Sequence, residues 1–218
     1  RFGSSRKAVG AVGVVLYGVV RYPGAVGDPW DPLLIVLSAV LAATLSGYVW
    51  MALVPPRAAT AHLVARRYGL VGGLVVGGLP MAGSAAAEFG YGKLLAGWSW
   101  LAAAVAALAV AAVAARSSND ARAGLQTGLW TGLVGALILL VVGMSATYAA
   151  AEAGRLIPTD AYTIRAFQAS GLPDLTTYVV GDDLGGSIML LVWIPLLSLA
   201  SGAIGGALGT SRPRRTPA

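Results

Sequence analysis

Apolar runs recur along this chain, separated by short polar breaks, and they are long. Several reach the roughly 20 residues that a helix needs to cross a hydrocarbon core of about 30 Å. The pattern predicts six helical spans, at 7–22, 33–54, 69–87, 93–115, 124–149 and 184–208. The second is the most sharply bounded. Asp31 is placed to cap its start, Pro32 occupies the first helical position, and Pro55-Pro56 halts it. The first and third have the shortest uninterrupted apolar stretches. Arg6, Lys7 and Arg21 lengthen the first by snorkelling to the interfaces.

The predicted fold is therefore an all-α integral membrane protein. It is a six-transmembrane-helix bundle, read as a single domain over 1–218, with a small helical loop at 151–183 on the outer face. Within that loop Pro158-Thr159-Asp160 starts one short helix, which ends at Ser170-Gly171. Pro173-Asp174 starts another that ends at Gly181, and Asp182-Asp183 then caps the sixth span. Tyr162, Ile164, Phe167, Leu172, Leu175, Tyr178 and Val179 make the loop too apolar for a free tail. It reads as a lid on the bundle or in the headgroup layer. Residues 55–69, on the opposite side, read as an interfacial helix.

Glycine is placed oddly for a helical protein. Gly124, Gly128 and Gly132 recur at every fourth residue of the fifth span. In water each costs a helix roughly 1 kcal/mol relative to alanine. In lipid little hydrophobic force acts between helices, and association relies on close approach along small-residue faces. Similar rows run through Gly69, Gly73 and Gly77 in the third span and Ser198, Gly202 and Gly206 in the sixth. These rows are expected to pack helices within the bundle, or to receive a second copy or the helix of a partner protein.

Composition agrees with the membrane reading. Hydrophobic residues make up 57% of the chain and charged residues 11%, where a soluble domain carries about a quarter charged. Mean hydropathy is +0.75. With no cysteine, disulfides, thiolate metal sites and a cysteine nucleophile are excluded. The weight of Arg, Ala, Gly and Val points to a GC-rich, bacterial coding genome, and hence to the inner membrane of a bacterial cell.

Charge also tests the count of spans. With six crossings and a cytoplasmic N-terminus, eleven basic residues fall inside: Arg1, Arg6, Lys7, Arg57, Arg66, Arg67, Arg116, Arg122, Arg212, Arg214 and Arg215. Only Arg21, Lys93, Arg155 and Arg165 fall outside. Both termini are then cytoplasmic, as the positive-inside rule requires. A net charge of +6 in a soluble domain would suggest nucleic acid. Here the basic residues flank helices and meet lipid headgroups, so no nucleic-acid partner is expected. The segment Arg6–Val20 followed by Ala25-Val26-Gly27 also has the layout of a signal sequence. Read as a first helix or as an uncleaved anchor, it threads the chain in the same direction. Arg1 in place of an initiator Met leaves room for residues upstream.

Candidate chemistry is sparse. No charged residue lies deep inside a predicted span, so the usual basis of proton relays and ion coupling is missing. Gly143-Met144-Ser145-Ala146 departs from a GxSG serine turn in its last glycine, and the one histidine, His62, is assigned to the opposite face. No cofactor or metal is expected. Glu88 and Glu152 lie at helix C-termini, where the dipole disfavours negative charge. They pair with Lys93 and Arg155 or form a cation-attracting mouth. Pro80, and Trp193 with Pro195, interrupt the third and sixth spans and mark packing kinks, a lined cavity or a hinge. The leading expectation is a non-catalytic membrane anchor, assembly factor or accessory subunit. A channel or facilitator for a small solute or ion is the alternative.

Overall fold

A computed structural model describes residues 3–25, 32–53, 59–86, 93–156 and 161–210. Seven α-helices account for nearly all of them: α1 (Gly3–Arg21), α2 (Pro32–Leu53), α3 (Ala59–Ala86), α4 (Lys93–Ser118), α5 (Ala121–Glu152), α6 (Ala161–Ser170) and α7 (Leu175–Thr210). A single 3₁₀ turn, Pro23–Ala25, follows α1. Among the described residues there is no strand. Asp31, Pro55, Pro56, Glu88 and residues 158–160, to which the sequence assigned caps, stops or a site, lie outside the described residues.

Among the described residues, four helices are long and apolar enough to cross a membrane, over Leu63–Ala86, Leu94–Ser118, Ala121–Glu152 and Leu175–Thr210. Among the described residues, apolar stretches also run over Gly10–Arg21 in α1 and Ser38–Gly47 in α2, and α2 as a whole is 22 residues long. At about 1.5 Å per residue, the 32 residues of α5 and the 36 of α7 span about 48 and 54 Å. Both exceed the thickness of a hydrocarbon core.

Two boundaries expected from the sequence are absent. Residues 59–69 do not form a separate interfacial helix; they run straight into the third span as part of α3. Gly69, the first of the glycine row in the third span, lies inside α3, and a methyl group there would stand 3.2 Å from the Thr127 carbonyl oxygen. Likewise the short helix expected at 174–181 is continuous with the sixth span. Gly181 does not end it, because its missing side chain admits the Ala25 carbonyl oxygen, 2.5 Å from where a Cβ would sit. Asp182 and Asp183 therefore lie inside α7 and do not cap it.

The contacts gather into two compact units. The first contains 1–53 and 139–191, and the second 54–138 and 192–218. In the first, Leu140, Met144, Tyr148, Val180, Leu184, Ile188 and Leu191 form the buried core. In the second, Ala103, Ala107, Ala111, Trp130, Val134, Ala136 and Leu137 do so.

Helix ends are closed by local hydrogen bonds. At the end of α4, Asn119 takes a positive φ of 53°. The Asp120 amide reaches the Ala115 carbonyl at 3.2 Å, and the Asn119 amide reaches Arg116 at 3.4 Å. This paired i→i−5 and i→i−3 arrangement satisfies carbonyls that the helix itself cannot. Asp120 then caps α5 by accepting from the Arg122 amide at 2.9 Å. Gly154 plays the part of Asn119 at the end of α5, with φ 64° and an Arg155 amide to Ala150 carbonyl bond of 2.9 Å.

Asp174 caps α7, accepting from the Thr177 amide at 2.7 Å and from its hydroxyl at 2.6 Å. These bonds, the hydroxyl foremost, hold the Asp174 carboxyl below its usual value of 3.8. A folded value below the unfolded one stabilises the cap above the ordinary carboxylate range. That contribution is lost as pH falls through the folded value. Asp174→Ala is expected to cost about 1 kcal/mol and to fray the first turn of α7. The Thr177 amide resonance reads both effects: it should move upon acidification in the native chain and stay put in the variant.

Candidate functional site

In the first unit the chemistry gathers where α1 runs beside the last turns of α5. Tyr148 is its centre. The side chain is buried, and its hydroxyl donates to the Val14 carbonyl at 3.1 Å. Gly18, one turn beyond Val14, makes that reach possible, because a Cβ there would collide with the Tyr148 hydroxyl and lie 3.0 Å from Cζ. Around Tyr148 stand Tyr17, with centroids 5.1 Å apart and planes at 57°, and Tyr22, stacked at 6.0 Å and 15°. Tilted and offset rings at these separations suit the aromatic quadrupole. The Arg21 guanidinium lies 5.5 Å from the Tyr22 centroid, over the ring.

Glu152, in the last turn of α5, accepts a hydrogen bond from the Tyr17 hydroxyl. Between these residues lies an open cleft of about 390 Å³, lined by Gly10, Gly13, Val14 and Tyr17 of α1 and by Ser145, Tyr148, Ala149 and Glu152 of α5. Ser145 turns its hydroxyl to the Val141 carbonyl at 2.6 Å. That leaves its oxygen lone pairs toward the cleft but no base beside it among the described lining residues. Also in this unit, Thr147 donates to Asp183 at 2.8 Å, which ties that residue of α7 to α5.

The second unit is a different kind of place. Along α5, Gly124, Gly128 and Gly132 face α7. Methyl groups on them would stand 2.5 Å from Gly206 Cα, 2.7 Å from Gly202 Cα and 2.5 Å from Pro195 Cα. Such distances cannot be met without moving backbone. The adjacent face of α5 meets α3: a methyl on Gly73 would lie 2.5 Å from Val134 Cβ, and one on Gly77 would lie 2.9 Å from the Gly135 carbonyl oxygen. Two glycines absent from the sequence reading, Gly205 and Gly209, set α7 against α4. Each would place a Cβ 2.6 Å from a carbonyl oxygen, that of Leu108 and that of Ala112 respectively. They too are four residues apart, a spacing hidden by the neighbouring row at Gly202 and Gly206. Thr127 and Thr131 are buried among these contacts; Thr127 donates to the Ala123 carbonyl at 2.7 Å. Among the described residues no buried polar side-chain atom lacks a partner.

The other sequence candidates are dispersed. Pro80 is fully buried within α3, and Pro195 packs against Gly132. Trp193 is 54% exposed, on the side of α7 away from that contact. Glu152 joins Tyr17 in the first unit, and its counterpart Glu88 is outside the described residues. Among the described residues no group of three or more His, Cys, Asp or Glu could hold a metal ion. Comparison with protein-family models, with curated proteins and with solved structures gives no match for this chain.

The tyrosine cluster yields a graded expectation. Tyr148→Phe removes one hydrogen bond and should cost about 1 kcal/mol. Gly18→Ala drives a methyl into the tyrosine ring and should cost roughly 1–3 kcal/mol. Adding Tyr148→Phe to Gly18→Ala should restore part of the loss, since it removes the hydroxyl that the methyl meets first. Thermal unfolding in detergent ranks the three variants.

Proposed function

We propose that this chain is a non-catalytic six-span module of a bacterial inner membrane, holding or assembling a partner protein with both termini cytoplasmic. The six-span threading combines the four long apolar helices with α1 and α2, which are 19 and 22 residues long. Snorkelling of flanking arginine and lysine lets short helices cross. The 11-to-4 division of basic residues is what favours six crossings over four.

What supports a holding role is the interior of the second unit. Glycine meets backbone there, and the buried polar residues are Thr127, Thr131 and Ser198. Hydroxyls in contact with helix carbonyls suit a fixed scaffold better than a path for ions, which calls for ionisable or wet linings. The outward faces are broad by comparison. The apolar stretch of α5 is 61% buried, but those of α4 and α7 are 28% and 33% buried. Leu101 and Val105 on α4, and Trp193, Leu197 and Ile204 on α7, are left for lipid or for a partner's helix. Exposure of Trp193 also weighs against a conduction path lined by that ring.

Two measurements follow. Because the chain has no native cysteine, single cysteines are clean reporters of threading. Ser170→Cys should react with a membrane-impermeant maleimide in intact cells, and Ser117→Cys only after lysis. Strong labelling at 117 in sealed cells would overturn the threading. For the role, photo-crosslinkers at Val105 and Leu197 should capture one discrete second polypeptide in native membranes, and the purified chain should leave liposomes as tight to ions as empty ones. Ion flux that responds to Trp193→Ala would overturn the holding role in favour of conduction.

A further inference from the structure

We propose that the cleft between α1 and the end of α5 binds a phospholipid whose headgroup carries a primary ammonium. Its charged wall comes first. Among the described lining residues Glu152 is the one carboxylate, and it sits at a helix C-terminus. There the carbonyl dipoles oppose a negative charge, so a cation that settles beside Glu152 relieves an existing repulsion. The Tyr17 hydroxyl already donates one hydrogen bond to this carboxylate. The second carboxylate oxygen and the Tyr17 oxygen lone pairs remain as acceptors for an ammonium, which offers three donors. The partly exposed ring of Tyr17 adds a face that attracts cations. Arg21, at the end of α1, is engaged over Tyr22 instead.

The rest of the cleft is built for a chain and not for a small solute. Gly10 and Gly13 leave a trough along α1, where an added Cβ would meet nothing within 4 Å. Val14 and Ala149 supply apolar walls. Ser145 lies two turns before Glu152 on the same face of α5, about 10 Å along the axis, at the level where a glycerol ester would follow an ammonium head. The cleft is open rather than enclosed, which leaves room for the chains of an amphiphile and would hold a free amine poorly. A quaternary headgroup lacks the N–H donors that Glu152 and Tyr17 select, and a phosphate headgroup without an ammonium has nothing to offset its repulsion by the carboxylate.

The inference rests on the chain being membrane-embedded, which cysteine labelling tests separately. A correct threading with no lipid selectivity would sink this proposal alone. The purified full chain, in detergent with equimolar phosphatidylethanolamine, phosphatidylcholine and phosphatidylglycerol of identical acyl chains, is read by native mass spectrometry. Phosphatidylethanolamine should be retained roughly ten-fold over either competitor, a difference of about 1.4 kcal/mol. Glu152→Gln should abolish the preference, and Gly13→Leu, which fills open space in the trough, should lower retention of all three lipids. A Leu125→Val variant, on an exposed part of α5, serves as the unaffected control. Equal retention of the three lipids by the native chain, an unchanged preference in Glu152→Gln, or displacement by ethanolamine alone at concentrations matching the lipid would each overturn it.

Discussion

The approach of α5 to its neighbours at backbone distance is the constraint on which the second unit depends. In a bilayer, lipid tails solvate leucine as well as another helix does, so apolar surface alone does not hold helices together. Dispersion falls off steeply with separation, and only helices that come very close gain enough contact. Glycine permits that approach at Gly124, Gly128 and Gly132 toward α7 and at Gly69, Gly73 and Gly77 toward α5. The intrinsic penalty of glycine in a helix is thereby offset by packing at each of these positions. Thr127 and Thr131 fit between the rows because their hydroxyls accept a role beside helix carbonyls that a larger polar group could not fill.

The first unit solves the same problem with aromatic rings and hydrogen bonds. Tyr148 takes the central place, and single glycines are used as sockets: Gly18 for its hydroxyl end, Gly181 for the Ala25 carbonyl. Polar atoms appear at the edges of this unit, in the Tyr17–Glu152 and Thr147–Asp183 bonds. The contrast carries the functional reading. On the proposed reading, the backbone contacts of the second unit suit a scaffold, and the cleft beside Glu152 in the first suits a headgroup.

Much of the helical content was legible because apolar runs are long and Pro or Gly-Asp clusters punctuate them. Pro32 stands at the first position of α2, and Asp174 caps α7, both as residue chemistry dictates. The misplaced boundaries share one physical origin. Gly69 and Gly181 look alike in sequence whether they end a helix or bring two helices together, and the choice depends on a partner far along the chain. Tyr148, Gly18 and Ser145 were not legible as a group for the same reason: more than a hundred residues separate α1 from the end of α5. Glu152 was singled out through its odd position at a helix C-terminus, but the Tyr17 hydroxyl that it meets had no local signal.

Close contact of α5 with α7 is tested most directly by a double-mutant cycle at Gly128 and Gly202, measured by reversible unfolding of the full chain. Each residue would place a Cβ within 3 Å of the other's Cα, at 2.7 and 2.9 Å. Either alanine alone must push the helices apart, at a cost of roughly 1–3 kcal/mol. Once they are apart, the second alanine meets less resistance. The double variant should therefore lose less stability than the sum of the two single losses, by at least about 0.5 kcal/mol. Strict additivity, or single alanines without effect, would contradict backbone contact between these helices.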